Sequence, residues 1–415
     1  MGFSHRRGRV FGIVTAVIGA LALAGCTSGA TPAPDDDLDP LPDDVVERMQ
    51  SATERAMTAG GAPGAIVGVW VPWAGAWESG VGETAPGSGT APDTSMSFRA
   101  GEITRSMTCD LLYAMDGGAV DLDDSITTFV PSVPQLEDVT LVDLCDGVAG
   151  LAPSRPGLWQ HIFANSDRVW NPREFASSGL GEGLRSTESW RDSDTAYFLL
   201  GIALENASHT SLHDLYAKHV AEPQGLENTF LPSDASGAPG TNALPGYYTT
   251  AQIRREGCEA DPMEWTELSA SMGYADSGIV TTLDDLRDYT ADLADRAGSS
   301  DELEPRWAES LPVSADGDQW VRAAGGNRLF GSMIGQQGGI PGYSTAAYSD
   351  VDTGLTVVVV LNDSAGGGEL AGALARELAA LAMEVPGEGD SGASLPWTAA
   401  QAHDAVGAAA VCPVE

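Results

Sequence analysis

Two β-branched apolar runs stand near opposite ends of this chain, Ala65–Val71 and Leu355–Leu361, and they constrain its fold more than anything else in it. The second reads Leu-Thr-Val-Val-Val-Val-Leu, apolar without the alternation of a half-exposed strand. The first run belongs inside a sheet that is covered on both faces, and the second is again a strand. Each has a neighbour to pair with. Trp77–Val81 follows the first as the return arm of a hairpin, and Thr345–Tyr348 precedes the second across an Asp352-Thr353-Gly354 turn. Helices to cover the sheet lie just outside. One starts at Pro42-Asp43, carries Val45, Met49, Ala52 and Ala56 on one stripe, and stops at Gly60-Gly61. The other is the Ala/Leu-rich stretch Glu369–Glu384. From Ser106 to about Ala270 the pattern is helical segments joined by Gly/Pro/Ser-rich loops. The expectation is an α+β fold: an antiparallel sheet from about 41–104 and 271–385, flanked by terminal helices, with a helical part inserted at about 105–270.

The 415 residues suffice for one large domain or two smaller ones. A formal charge of -38 argues against nucleic acid or an anionic lipid surface as partner, since either would be repelled. Lys218 is the single lysine among 21 basic residues, so any chemistry needing a lysine base has one candidate. The first 26 residues read as a targeting segment. Arg6, Arg7 and Arg9 precede an apolar run too short to span a bilayer, and Leu23-Ala24-Gly25-Cys26 resembles the lipobox at which bacterial lipoproteins are cleaved and lipidated. This predicts export and a lipid anchor on Cys26 at the outer face of the cell membrane. Without those three arginines, 18 basic residues face 59 acidic ones, a net of -41. Residues 27–40 read as a disordered tether, and 386–415 as a linker with a short Ala-rich extension. Four cysteines remain, an even number that fits two disulfides in any of three pairings. His209 and His213 are spaced as a pair on one helix but have no carboxylate triad and read as surface histidines, and there is no Cys-x-x-Cys, so no metal and no cofactor is expected.

Gly64-Ala65-Ile66-Val67-Gly68-Val69, Phe98-Arg99-Ala100-Gly101-Glu102-Ile103-Thr104-Arg105 and Leu122-Asp123-Asp124-Ser125-Ile126 together resemble the serine β-lactamase-related family, which includes class C-type β-lactamases, D-alanyl-D-alanine carboxypeptidases and esterases. Ala275-Asp276-Ser277-Gly278-Ile279-Val280-Thr281-Thr282-Leu283-Asp284-Asp285-Leu286 resembles its structural motif A-A-G-G-L-x-S-T-x-x-D-L. The resemblance covers roughly Gly61 to Glu384 and implies the β-lactamase/DD-peptidase-like fold. It also favours pairing Cys109 with Cys145, on neighbouring helices of the helical part, and hence Cys258 with Cys412.

The family's chemistry does not carry over. Its first motif, F-R-x-G-S-x-T-K, has Glu102 for the nucleophilic serine and Arg105 for the lysine. Its Y-S-N-T-N-Y-x-L-L-G motif reads Asp192-Ser193-Asp194-Thr195-Ala196-Tyr197-Phe198-Leu199-Leu200-Gly201, so the catalytic tyrosine is Asp192, and Asp194 stands at an Asn/Asp position. Its G-H-T-G-G strand reads Gly335-Gln336-Gln337-Gly338-Gly339, losing the histidine to Gln336 and keeping Gly338 and Gly339 along the substrate strand. The landmark L-L-T-H-T-S-G-L reads Leu144-Cys145-Asp146-Gly147-Val148-Ala149-Gly150-Leu151. A serine needs an adjacent base, and a guanidinium stays protonated at any relevant pH. Ser106 lies about 100° around the helix from Arg105 and has no base beside it. Glu102 and Arg105, at i and i+3, are expected to pair with each other. Trp159, Trp170 and Trp190 are candidates for a cleft wall or for closing the core. The reading is an inactive pseudoenzyme or binding module of the cell envelope, monomeric, with a cell-wall or peptide ligand. The alternatives are an active serine hydrolase with a rearranged site, or Glu102 and Asp192 as an acid–base pair acting on a glycoside. Glu102, Asp192 and Asp194, offset only by Arg105, are expected to make the cleft acidic and to turn away anionic ligands.

Overall fold

The computed structural model describes Gly2 and residues 38–185, 190–235, 237–298, 304–387 and 394–414. All but Gly2 lie within one compact unit, Pro34–Glu415. The targeting segment, Cys26 and the tether up to residue 37 lie outside the described residues. The last residues of the expected tether are ordered after all: the Ala76 N–H donates to the Asp39 carbonyl at 2.8 Å, and the Leu41 N–H to the Ala76 carbonyl at 3.0 Å. No helix among the described residues is long and apolar enough to cross a membrane.

One eight-stranded antiparallel sheet organises the unit. In chain order its strands are β1 (Gly64–Val71), β2 (Gly75–Gly82), β3 (Leu311–Pro312), β4 (Val321–Ala324), β5 (Asn327–Phe330), β6 (Met333–Ile340), β7 (Tyr343–Asp350) and β8 (Thr356–Leu361). In space they run β2-β1-β8-β7-β6-β5-β4-β3, so the two ends of the chain meet at the β1–β8 pair, with Val67 opposite Val359. Both runs are buried on both faces. Val357 and Val359 join the apolar cluster under the terminal helices, while Val358 and Val360 join the one shared with the helical part. The first cluster is closed by α1 (Asp43–Gly60), which Gly61 terminates in the left-handed conformation at φ 73°, by α6 (Gly367–Ala382) and by α7 (Ala399–Ala408).

The second face carries α2 (Thr104–Met115), α3 (Arg155–Ala164), α4 (Asp194–Ser208) and α5 (Leu283–Ala297). The short β3, β4 and β5, which the sequence pattern does not reveal, extend the sheet past β6. Cys109 is bonded to Cys145 and Cys258 to Cys412, each with Cα atoms 5.7 Å apart. The histidine pair does not share a helix. His209 ends α4 at φ 55°, and His213 lies on the next helix, Leu212–Tyr216, its Nδ1 2.5 Å from the Leu231 carbonyl oxygen.

Candidate functional site

The cleft lies where β6 meets the start of α2. A tight turn, Gly101–Ile103, leads into the helix, with Gly101 at φ 59°. Ala100 is tied to the sheet because Thr345 Oγ1 donates to its carbonyl at 2.7 Å. Arg99 is buried and donates to the carbonyls of Thr266 at 3.1 Å and Leu268 at 3.0 Å, and to that of Gly237, which fastens the far wall. The turn therefore delivers Glu102 against the Gln336–Ile340 end of β6.

What fills the cleft is a ladder of alternating charge. Glu369, at the start of α6, accepts from Arg328 Nη1 on β5 at 3.2 Å. Arg328 Nη2 lies 3.8 Å from Asp192 Oδ2. Asp192 Oδ1 accepts from Arg105 Nη1 at 2.7 Å, and Arg105 Nε donates to Asp276 Oδ1 at 2.7 Å. The other oxygen of Asp276 accepts from Arg155 Nη2 at 2.6 Å. Arg155 Nη1 reaches Glu102 Oε1 at 2.9 Å, and Glu102 Oε2 accepts the Gly339 N–H. The ladder begins in solvent, with Glu369 67 % exposed and Asp192 52 %, and ends in protein, with Glu102 15 % and Asp276 0 %.

The electrostatics follow from this geometry. Burial drives Asp192 upward, but Arg105 and Arg328 more than cancel it and hold the carboxyl below its ordinary range. Burial leaves Glu102 above its ordinary range despite Arg155 and Arg105. Arg105 resists the loss of charge that burial favours, because Asp192, Asp276 and Glu102 surround it. Asp194 is raised by burial; it is spent on local architecture, accepting the N–H groups of Ser154 at 2.5 Å and Arg155 at 2.8 Å. Burial raises Tyr197, whose hydroxyl donates to the Cys145 carbonyl at 2.9 Å under the Arg105 guanidinium.

The strand edge is closed by side chains of the same chain. Gln336 Oε1 accepts the Gln337 N–H at 2.9 Å while its Nε2 donates to the Gly326 carbonyl at 2.8 Å. Ser106 is buried, accepting from Asn327 Nδ2 at 2.6 Å and donating to the Gly326 carbonyl at 3.2 Å, so it packs and does not face a base. An open cleft of about 260 Å³ remains beside the ladder, bordered by Glu102, Arg155, Trp159, Arg328 and Gly339. Trp159 lines it and is backed edge-on by Tyr248 and Trp265, ring centroids 5.5 and 5.7 Å away. Trp170 instead closes the core against Phe175, and Trp190 lies under Arg328. Among the described residues, no His/Cys/Asp/Glu group is arranged to hold a metal.

Residues 49–382 match the family described as Beta-lactamase. The chain belongs to the beta-lactamase family. It is 28% identical over 163 residues to the D-alanyl-D-alanine-carboxypeptidase/endopeptidase AmpH of Escherichia coli (strain K12), which covers 37% of this chain and 41% of that protein. It is 22% identical over 283 residues to Penicillin-binding protein 4* of Bacillus subtilis (strain 168), covering 65% and 61%. The chain thus spans less than two thirds of either relative. Among solved structures, a D-stereospecific amidohydrolase from Streptomyces sp. superposes with a TM-score of 0.65 at 20% identity, over 78% of this chain and 95% of that one. The octameric penicillin-binding protein homologue from Pyrococcus abyssi gives 0.65 at 19%, over 85% and 79%. At these identities the structures establish the beta-lactamase-type fold.

Against that family's motifs, the degenerate positions Glu102, Arg105 and Asp192 do meet at one site, and Gln336 lies beside them. Two expectations need correction. Glu102 pairs with Arg155 rather than Arg105, because the fully buried Asp276 and the nearby Asp192 draw the Arg105 guanidinium away from it. The cleft is also not offset by Arg105 alone: Arg155 and Arg328 add two cations, but Asp276 and Glu369 add two carboxylates, so five carboxylates face three guanidinium groups and the site keeps the acidic excess expected of it. Sequence reasoning missed Arg155 and Asp276. Asp276 had a visible signal, a carboxylate at a small-residue position of the A-A-G-G-L motif. Arg155 had a fainter one, an arginine set between Ser154 and Pro156 in a chain with only 21 basic residues.

Proposed function

We propose that this protein is an exported lipoprotein, anchored through Cys26, that keeps the beta-lactamase scaffold as a non-acylating binding module of the cell envelope, monomeric and with a cell-wall or peptide ligand. One observation carries the reading. The residues at the nucleophile, base and tyrosine positions are neutralised along a single ladder, Glu102 through Arg155 and Asp276 to Arg105 and Asp192. Losing the nucleophile or base alone costs a serine hydrolase on the order of 10⁶ in kcat. Here a carboxylate whose oxygens are both engaged replaces one, and a permanent cation replaces the other.

Opposite shifts in Glu102 and Asp192 are what an acid–base pair for glycoside hydrolysis would show. Against that second reading, Glu102 turns both oxygens to donors of its own chain, so neither is directed at a leaving group in the cleft. The deciding experiment is labelling of the purified protein with fluorescent penicillin and with a fluorophosphonate. The expected result is no covalent adduct with either, and an adduct on any serine would overturn the reading. Fractionation tests the anchor: Cys26→Ala should move the protein from the membrane to the soluble fraction.

A further inference from the structure

The buried end of the ladder has the form of an occupied pocket. Arg155 Nη1 and the Gly339 N–H approach the two oxygens of one carboxylate, a two-point donor set that suits any carboxylate. The space is cut to that group. Gly338 has no side chain, and a Cβ there would lie 1.9 Å from Glu102 Oε2. The donors are also held independently of what they bind. Arg155 Nη2 is fixed to Asp276 at 2.6 Å and to Ser277 Oγ at 2.7 Å, and Gly339 is paired within the sheet to Ser344. The open cleft of about 260 Å³ leads straight to this point, since Glu102, Arg155 and Gly339 all border it.

We infer that Arg155 and the Gly339 N–H form a binding pocket for a small carboxylate, and that Glu102 is its built-in occupant, holding the site closed. The inference rests on the non-acylating reading above and names what the same cleft excludes. A side chain tethered at its pocket competes at an effective concentration of millimolar or more. Free carboxylates, including the C-terminal carboxylate of a peptide, are therefore shut out of the wild-type cleft by occupancy, in addition to the cleft's excess of carboxylates over guanidinium groups. Ligands that enter are those presenting no carboxylate at this end.

Calorimetric titration of the full chain with sodium acetate tests this on wild type, Glu102→Ala and Glu102→Gln. Glu102→Ala should bind acetate at least about 100-fold more tightly than wild type, the advantage lost by a competitor no longer tethered. Glu102→Gln fills the same volume but sets its amide NH2 against one of the two donors, so it should close the pocket less well and bind acetate with an affinity between those of wild type and Glu102→Ala. Methylammonium should gain nothing in any variant. Equal acetate affinity in wild type and Glu102→Ala would overturn the inference, as would no binding by a Glu102→Ala protein whose thermal unfolding matches wild type. Should that variant fail to fold, Glu102→Ser shortens the side chain in the same way and is read by the same two outcomes. Acetate binding involves no covalent step, so this result stands apart from the penicillin labelling: an adduct on the wild-type protein would remove the functional reading while leaving the acetate comparison to be scored by itself.

Discussion

Helix α2 carries two buried ionic networks little more than a turn apart, and they are built differently. At Asp110 one carboxylate is surrounded by donors: Arg306 at 2.5 Å, Arg296 at 3.1 Å and the Tyr289 hydroxyl at 2.9 Å. It sits beside the Cys109–Cys145 bridge. Burial would raise this carboxyl, but Arg306 and Arg296 outweigh it and hold Asp110 below its ordinary range. At Arg105 the arrangement is inverted, with one guanidinium between two carboxylates and the series continuing in both directions until it reaches solvent at Glu369. The first network is closed and local. The second is open at one end, and it occupies the place where the family does its chemistry. Both pair their buried charges, each leaving one buried guanidinium Nε without a partner, on Arg306 and on Arg155, and that is the instructive point: the cleft end of α2 is built as a scaffold is built, with its charges committed to one another.

The networks should fail unequally. Asp110→Ala leaves Arg306 and Arg296 beside an empty pocket, and removing one partner of a buried ion pair costs about 3–5 kcal/mol. Arg105→Met should cost less, about 1–3 kcal/mol, because Asp276 keeps Arg155 and Asp192 can turn to water. Urea unfolding of the two variants reads both values. A cost for Arg105→Met equal to that of Asp110→Ala would mean that the ladder acts as one indivisible unit and would break the contrast.

The same contrast explains what could be read in the sequence. The Leu355–Leu361 run, the stripe on Val45, Met49 and Ala52, and the glycines of β6 declare themselves because burial and turn geometry act on residues close together in the chain. The replaced motif positions could be read for a similar reason, each lying inside a preserved frame. The partners could not be read so. Glu102 and Arg155 are 53 positions apart and Arg105 and Asp276 are 171 apart, so no periodicity joins them. Local spacing pointed instead to a Glu102–Arg105 pair, and the three-dimensional competition from Asp276 overrode it. Strands β4 and β5, Val-Arg-Ala-Ala and Asn-Arg-Leu-Phe, are too short to show a period; β5 is placed in the sheet by pairing to β6, and β4 by pairing to β5.

Asp363 sharpens the comparison by showing burial with neutral donors in place of bonded guanidinium groups. Thr249 Oγ1 donates to it at 2.8 Å and the Ala365 N–H at 2.7 Å, and burial pushes its carboxyl up to about 7. The two aspartates should therefore give opposite pH dependence. Asp110 binds its proton more weakly folded than unfolded, so its contribution is present above about pH 4 and is lost as pH falls below that. Asp363 binds its proton more strongly when folded, so its contribution is present below about pH 4 and is lost as pH rises towards about 7. Asp363→Asn should accordingly raise stability by about 4 kcal/mol at pH 8 and by less, about 1–2 kcal/mol, at pH 5. Thermal unfolding at the two pH values checks this, and a gain of the same size at both would mean that titration of this carboxyl is not its source.

The smallest effect belongs at the outer end of the ladder. Glu369 is 67 % exposed, and it pairs with Arg328, which also lies over the Trp190 ring and within 3.8 Å of Asp192. An exposed pair of this kind contributes about 0–1 kcal/mol and is screened by salt. Glu369→Ala should therefore change stability by less than about 0.5 kcal/mol in 0.15 M salt, and by less still at 1 M. The size of this effect tells where along an alternating series the free energy resides. If each rung mattered equally, the solvent end would cost as much as Arg105, and the cleft would be a continuous structural strut. If the cost falls away from Asp276 outward, the inner half of the ladder fixes the fold, and Asp192, Arg328 and Glu369 are left able to rearrange around a ligand.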